Sequence, residues 1–159
     1  MVLYNEIELN YLNTFWKDSN IRVGKDRSYK FCVCTDCSEI SKKLYDWFEL
    51  ETGEKLLNRP NYLFIHNYEE GDYFDLHIDS VERDYKNRAY VLGFHINDEY
   101  DGGEYVLYNP YEIINKAKGV PYCFKSDRPH EIKKVLNGNR KSALIFIHHQ
   151  DLEKVKKLL

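Results

Sequence analysis

His77 and Asp79 are separated by one residue, and on a β-strand that spacing turns both side chains to the same face. An imidazole and a carboxylate placed so could share one metal ion. Taken alone the pair carries little weight, because a chain with six histidines produces a His-x-Asp by chance about as often as not. The residues before it add weight: Tyr68, Gly71, Phe74 and His77 stand three apart, giving Tyr-x2-Gly-x2-Phe-x2-His-x-Asp. Downstream come Gly102-Gly103-Glu104, Gly119, Phe124, Ser126 and His130, then Val135, Gly138, Arg140 and Ser142. Two histidines and one carboxylate on one face of a metal leave positions open for other ligands. Such a donor set suits a redox-active iron, and ligand type alone leaves zinc open. Ser142, two residues after Arg140, shares its strand face, and Leu144 and Phe146 continue that face inward.

These residues need a scaffold of strands. The chain has 159 residues, 43% hydrophobic and 31% charged, which suits one globular domain. Aromatics reach 15%, largely through 14 tyrosines, and favour strands over a helical bundle. From Asn61 onward short strand-forming runs follow one another: NYLFIHNY, DYFDLHI, RAYVLGFHI, GEYVLY, VPYCF, EIKKVL and KSALIFIHH. Asp101-Gly102-Gly103 and Asn137-Gly138-Asn139 mark turns between them. No space remains for crossover helices, so a β-sandwich or small barrel is expected rather than a parallel βαβ fold. Before Asn61, Asp36 or Ser38 is placed to cap a helix carrying Ile40, Leu44, Trp47 and Phe48, which Gly53 ends. The expected layout is helical and strand support over 1–60, a catalytic core over 61–149 and a short helix over 150–159.

Net charge is −3 and the pI about 6.1, giving no basic footprint for nucleic acid. No basic-then-apolar leader and no membrane-length apolar run is present. Cys32, Cys34, Cys37 and Cys123 are too few and too clustered for a disulfide scaffold, which points to a reducing cytoplasm. As a zinc site they lack a second Cys-x2-Cys, so buried thiols are the expected reading. His66, alternating with Tyr62 and Phe64, reads as a core or rim residue, and His148-His149 as surface.

From about Tyr62 to Phe146 the order of these residues resembles the iron(II)/2-oxoglutarate-dependent dioxygenases, in particular their prolyl 4-hydroxylase-like branch. The resemblance implies a double-stranded β-helix (jelly-roll), mainly β, with N-terminal helices packed on one sheet. It implies His77, Asp79 and His130 as ligands of Fe2+, with 2-oxoglutarate and O2 as cosubstrates and ascorbate as a candidate accessory. It places Arg140 at the distal carboxylate of 2-oxoglutarate, a role its fork of paired donors suits. Ser142 would support it and the Tyr68 hydroxyl would touch the cosubstrate. His95 stands where prolyl hydroxylases often carry a tyrosine for that carboxylate, and an imidazole could donate to the same oxygen. Its strand partners Ala89, Val91 and Gly93 are small, as a face opening on a cofactor pocket needs. Arg88 and Phe146 match positions of the peptide cleft, with Phe146 where that branch often has tryptophan. Arg88 has the opposite strand parity to His95, so both face the pocket only across a bulge. The implied reaction hydroxylates a C–H bond, foremost of a prolyl residue in a peptide or protein, with release of succinate and CO2. Another amino-acid side chain or a small metabolite is the alternative. A nucleic-acid demethylase typically carries a second arginine at the place of Phe146, and an inactive binding module would not need the intact ligand set.

Overall fold

The computed structural model describes residues 1–16, 20–80 and 87–154. The elements run α1 (Glu6–Thr14), β1 (Asn20–Val23), β2 (Arg27–Cys34), α2 (Ser38–Thr52), β3 (Leu63–Tyr68), β4 (Tyr73–His77) and β5 (Arg88–His95). They continue with β6 (Tyr100–Gly102), β7 (Tyr105–Leu107), β8 (Glu112–Ile113), β9 (Pro121–Lys125), β10 (His130–Ile132), β11 (Val135–Gly138) and β12 (Arg140–His148). A short 3-10 turn spans His149–Asp151. The helix expected over 150–159 does not form after that turn: Leu152 is extended and bridges Leu56, and residues from 155 lie outside the described residues. No helix of the described residues is long and apolar enough to cross a membrane.

Local chemistry accounts for both helices. In α1 the Asn5 side chain accepts from the Glu8 N–H at 2.9 Å while Glu8 accepts from the Asn5 N–H at 3.1 Å, a reciprocal cap. In α2 the cap position belongs to Cys37, between the two expected residues, and makes no side-chain capping bond. Its thiol donates back to the Cys34 carbonyl instead. Ile40, Leu44 and Phe48 are buried as the helical period requires, joined by Tyr45, while Trp47 is half-buried. Gly53 ends the helix in the left-handed conformation.

One large antiparallel sheet curls through the molecule in the order β8-β7-β10-β4-β2-β3-β12-β5-β9, with β1 paired on β2 and β6–β11 forming a separate ribbon. The seven sequence runs are recovered, with one divided: EIKKVL becomes β10 and β11, which pair with different neighbours. The N-terminal third also supplies β2, a central strand beside β3. Period two separates two cores. Ala143, Ile145 and Ile147 of β12, Leu92 and Phe94 of β5, and Leu63 and Ile65 of β3 pack toward Leu44, Tyr45 and Phe48 of α2. The alternate residues face inward around Tyr29, Tyr68, Val91, Tyr105 and Tyr122. That inner face carries the cavity.

Candidate active site

β4 and β10 are antiparallel neighbours, and His77 and His130 stand directly opposite each other. Each imidazole turns Nδ1 to a backbone carbonyl two residues back: His77 to Asp75 at 2.7 Å, His130 to Arg128 at 2.8 Å. Those bonds fix Nδ1 as the protonated atom and leave both Nε2 lone pairs for a metal, the usual outer arrangement of a ligating histidine. Asp79 follows β4, tied by its N–H to the Ser126 carbonyl. Its carboxylate lies 3.4 Å from His77 Nε2 and 3.1 Å from His130 Nε2. Burial pushes the Asp79 pKa up, but the two imidazoles outweigh it and hold the acid well below the usual carboxylate range. The three ligand atoms lie within 4.8 Å of one another, the sole such group of His, Cys, Asp or Glu among the described residues.

The spaced motif before Asp79 shapes this corner. Gly71, at φ +87°, makes the turn from β3 to β4, a conformation that favours glycine. Phe74 stacks on His77 with ring centroids 3.6 Å apart and planes at 16°. Arg27 also lies over the Phe74 ring, its guanidinium carbon 4.4 Å from the centroid, and is itself held by Asp26. The metal corner is thus backed by a guanidinium–phenyl–imidazole stack reaching into the N-terminal third.

Arg140 opens β12 and is wholly buried, yet no carboxylate of a described residue lies within ion-pair distance. Nη1 donates to Ser142 Oγ at 3.4 Å and Nη2 contacts His95 Nε2 at 3.2 Å; Nε has no partner among the described residues. The rings of Tyr68 and Tyr105 lie 5.2 and 5.3 Å from the guanidinium carbon. A guanidinium has no lone pair, so His95 Nε2 must be the acceptor and the proton sits on Nδ1. Burial, then the positive charges of Arg140 and Lys116, push the His95 pKa well below 6.5 and keep it neutral. The donor expected at His95 therefore points elsewhere: this imidazole holds the arginine. Gly93 is small for a related reason. A Cβ there would stand 2.6 Å from the Tyr122 hydroxyl, so the space is filled by a tyrosine rather than open to a ligand.

His77, Asp79, His130, Arg140, Ser142 and Tyr68 line one cavity of about 160 Å³. Arg88 and Phe146 line it as well. The parity conflict at Arg88 is resolved as the spacing requires: β5 slips by one residue against β12 between Tyr90 and Arg88. Arg88 then lies over the Phe146 ring at 3.5 Å. Tyr29, Phe31, Phe64 and His66 complete an aromatic wall, with His66 stacked on Tyr29.

Residues 63–148, more than half of the chain, match the family model of the 2OG-Fe(II) oxygenase superfamily. The chain belongs to that superfamily. Solved structures share its fold over nearly its whole length, although few residues are identical. A Pseudomonas putida prolyl-4-hydroxylase matches with a TM-score of 0.71 and 15% identity, covering 92% of this chain and 88% of that one. A Trichoplax adhaerens prolyl hydroxylase, in complex with a hypoxia inducible factor oxygen degradation domain peptide fragment, matches with 0.69 and 19%, covering 91% and 76%. The viral collagen prolyl hydroxylase of Paramecium Bursaria Chlorella virus-1, in its 2OG complex, matches with 0.69 and 15%, covering 91% of each chain. No curated protein sequence matches. The curled sheet of the oxygenase is the expected double-stranded β-helix with its helices on one face.

The spacing of single residues missed part of this oxygenase's cavity. Asp26, Arg27, Tyr29 and Phe31 line it from β2 and the turn before it. The alternation of Tyr29 and Phe31 with Cys32 and Cys34 was the available signal for that strand. Cys32, Cys34 and Cys37 sit in the core beneath α2, where burial raises their thiols, Cys32 to about 11 and Cys37 to about 12. His148 is half-buried at the end of β12 and His149 exposed.

Proposed function

We propose that this oxygenase is an iron(II)- and 2-oxoglutarate-dependent hydroxylase of a prolyl residue in a peptide or protein. His77, Asp79 and His130 are its metal ligands, and Arg140 with Ser142 holds the distal carboxylate of 2-oxoglutarate. The observation that carries the reading is the buried Arg140, with Nε unpartnered among the described residues, opening into the cavity that the three ligands share. A guanidinium so placed calls for an anion, and the fork fits a carboxylate. Iron bound at the three ligands would couple decarboxylation of 2-oxoglutarate to succinate and CO2 with transfer of one oxygen atom from O2 to a substrate C–H bond.

The protein's own part is positional. The two Nδ1–carbonyl bonds hold the Nε2 atoms toward one point, and His95 with Ser142 holds the guanidinium. Tyr68 and Tyr105 flank the arginine and keep water from its faces. For the substrate, the wall of Phe31, Phe64 and Phe146 supports a proline-containing segment, whose fixed φ keeps the entropic cost of binding small. Arg88, lying on Phe146 at the same wall, is placed to donate to a peptide carbonyl.

Incubation with iron(II), ascorbate, 2-oxoglutarate and a panel of peptides with and without proline tests the reading. Tandem mass spectrometry should locate one added oxygen on proline, with stoichiometric succinate. Oxygen found only on other residues or on a free small molecule overturns the prolyl assignment. Absence of succinate with every substrate class overturns the oxygenase reading of the cavity.

A further inference from the structure

Three buried polar atoms without a partner among the described residues cluster on side chains around Arg140: its own Nε, His95 Nδ1 and the hydroxyl of Tyr122. The first two belong to the contact already described. Tyr122 comes from β9, a strand that supplies none of the residues discussed so far for metal or cosubstrate. Its ring stands 5.8 Å from that of His95 and 5.5 Å from that of Tyr105, which flanks the guanidinium.

The direction of the hydroxyl can be followed through the register. Tyr122 is opposite Gly93, and on its other side Gly93 is opposite Leu144 of β12. The hydroxyl lies over Gly93, where a Cβ would come within 2.6 Å of it. It therefore reaches across β5 toward β12, whose inward side chains are Arg140, Ser142 and Leu144. An unbonded hydroxyl held there is costly, and a packing role alone would be met better by phenylalanine. Burial raises the phenol to about 12 even against the opposing charge of Arg140, so Tyr122 is a neutral O–H donor at ordinary pH.

We propose that Tyr122 is a cosubstrate-binding residue, its O–H donating to the distal carboxylate that Arg140 and Ser142 hold. This rests on the reading of the cavity as a 2-oxoglutarate site. A carboxylate has about four acceptor positions, more than one guanidinium edge fills. Tyr122 supplies a further donor from a neighbouring strand, while His95 is spent on orienting the arginine. The cradle thereby selects 2-oxo acids with a second carboxylate over those ending in methyl.

Calorimetric titration with manganese(II) in place of iron tests this on Tyr122→Phe, which keeps the ring and removes the hydroxyl. The probes are 2-oxoglutarate and 2-oxopentanoate, the same chain ending in methyl. Tyr122→Phe should bind 2-oxoglutarate roughly ten- to hundredfold more weakly, the ratio that a hydrogen bond to a charged group represents. Binding of manganese and of 2-oxopentanoate should stay unchanged. Equal weakening of both acids would show that the hydroxyl acts through packing and would overturn the proposal. So would unchanged 2-oxoglutarate affinity, the result expected if a buried water satisfies the hydroxyl. Arg140→Ala serves as the control: if it too leaves 2-oxoglutarate binding intact, the reading of the cavity fails, not merely the role of Tyr122.

Discussion

The two ends of the cavity are built on different principles. At the metal end, His77 and His130 face each other across one strand pair, and each is oriented by a carbonyl two residues away. At the arginine end, one buried guanidinium is held by side chains from β3, β5, β7 and β12. The first end is locally determined and lies at the edge of solvent, with His77 half-buried; the second is a product of the whole barrel. Loss of one residue should therefore disable its own end and leave the other standing.

The sharpest break in that comparison is removal of a ligand. His130→Ala, His77→Ala or Asp79→Ala should abolish manganese binding and succinate formation while the circular dichroism of the fold persists. Asp79→Glu should fail as well, because a carboxylate moved by one bond length misses a site that needs about half-ångström placement. Full turnover by His130→Ala would remove these residues from the role.

Arg140→Met separates the ends in the opposite sense. Loss of a desolvated charge pair should cost on the order of 2–5 kcal/mol in 2-oxoglutarate affinity, with manganese binding intact. Stability should not fall in step. A wholly buried guanidinium with no carboxylate among the described residues is costly to bury, and an apolar side chain of similar length relieves that cost. A melting temperature for Arg140→Met at or above that of the parent is expected; a steep drop would mean that the arginine serves the fold rather than the cosubstrate.

A smaller effect is expected from the stack behind His77. Phe74→Leu removes the ring against which Arg27 and His77 both pack, and should weaken manganese binding by roughly 10–100-fold, as loss of an outer support commonly does. 2-Oxoglutarate binding to the metal-loaded protein should change less. Equal loss of both affinities would merge the two ends into one cooperative unit.

This difference in construction also explains what the sequence made legible. His77 and Asp79 could be paired because a strand's period two and a run of spaced residues lie within one short stretch, whereas His130, which meets them only through the β4–β10 pairing, was indicated by the family resemblance alone. Ser142 and Phe146 followed from the parity of β12, and even the bulge beside Arg88 could be anticipated from its parity against His95. The environment of Arg140 was hidden, since Tyr105 and Tyr122 reach it through strand pairings that no short window contains. Arg27 and Tyr29 were missed for the same reason: β2 joins the sheet between β3 and β4, far from its place in the chain. The division of EIKKVL between β10 and β11 is also tertiary, because each half finds a different partner.

His95 offers the finest test, through pH. Burial, with Arg140 and Lys116 nearby, holds its folded pKa well below the 6.5 of the unfolded chain. The sign follows from proton counting. Above about pH 6.5 both states leave this imidazole neutral and it adds no pH dependence. Below that, the unfolded chain takes up a proton that the folded chain refuses, so stability falls as the pH drops. The loss approaches about 1.4 kcal/mol per pH unit from this group alone, until the folded pKa is reached. Acid acts on many groups of the chain at once, so the difference between variants is the quantity to measure. His95→Gln can still accept from Arg140 but cannot take up a proton, and its denaturation midpoints should fall less between about pH 7 and 5 than those of the parent. Parallel pH curves for the two proteins would show that His95 charges freely in the folded state, and the account of it as a neutral acceptor holding Arg140 would have to be given up.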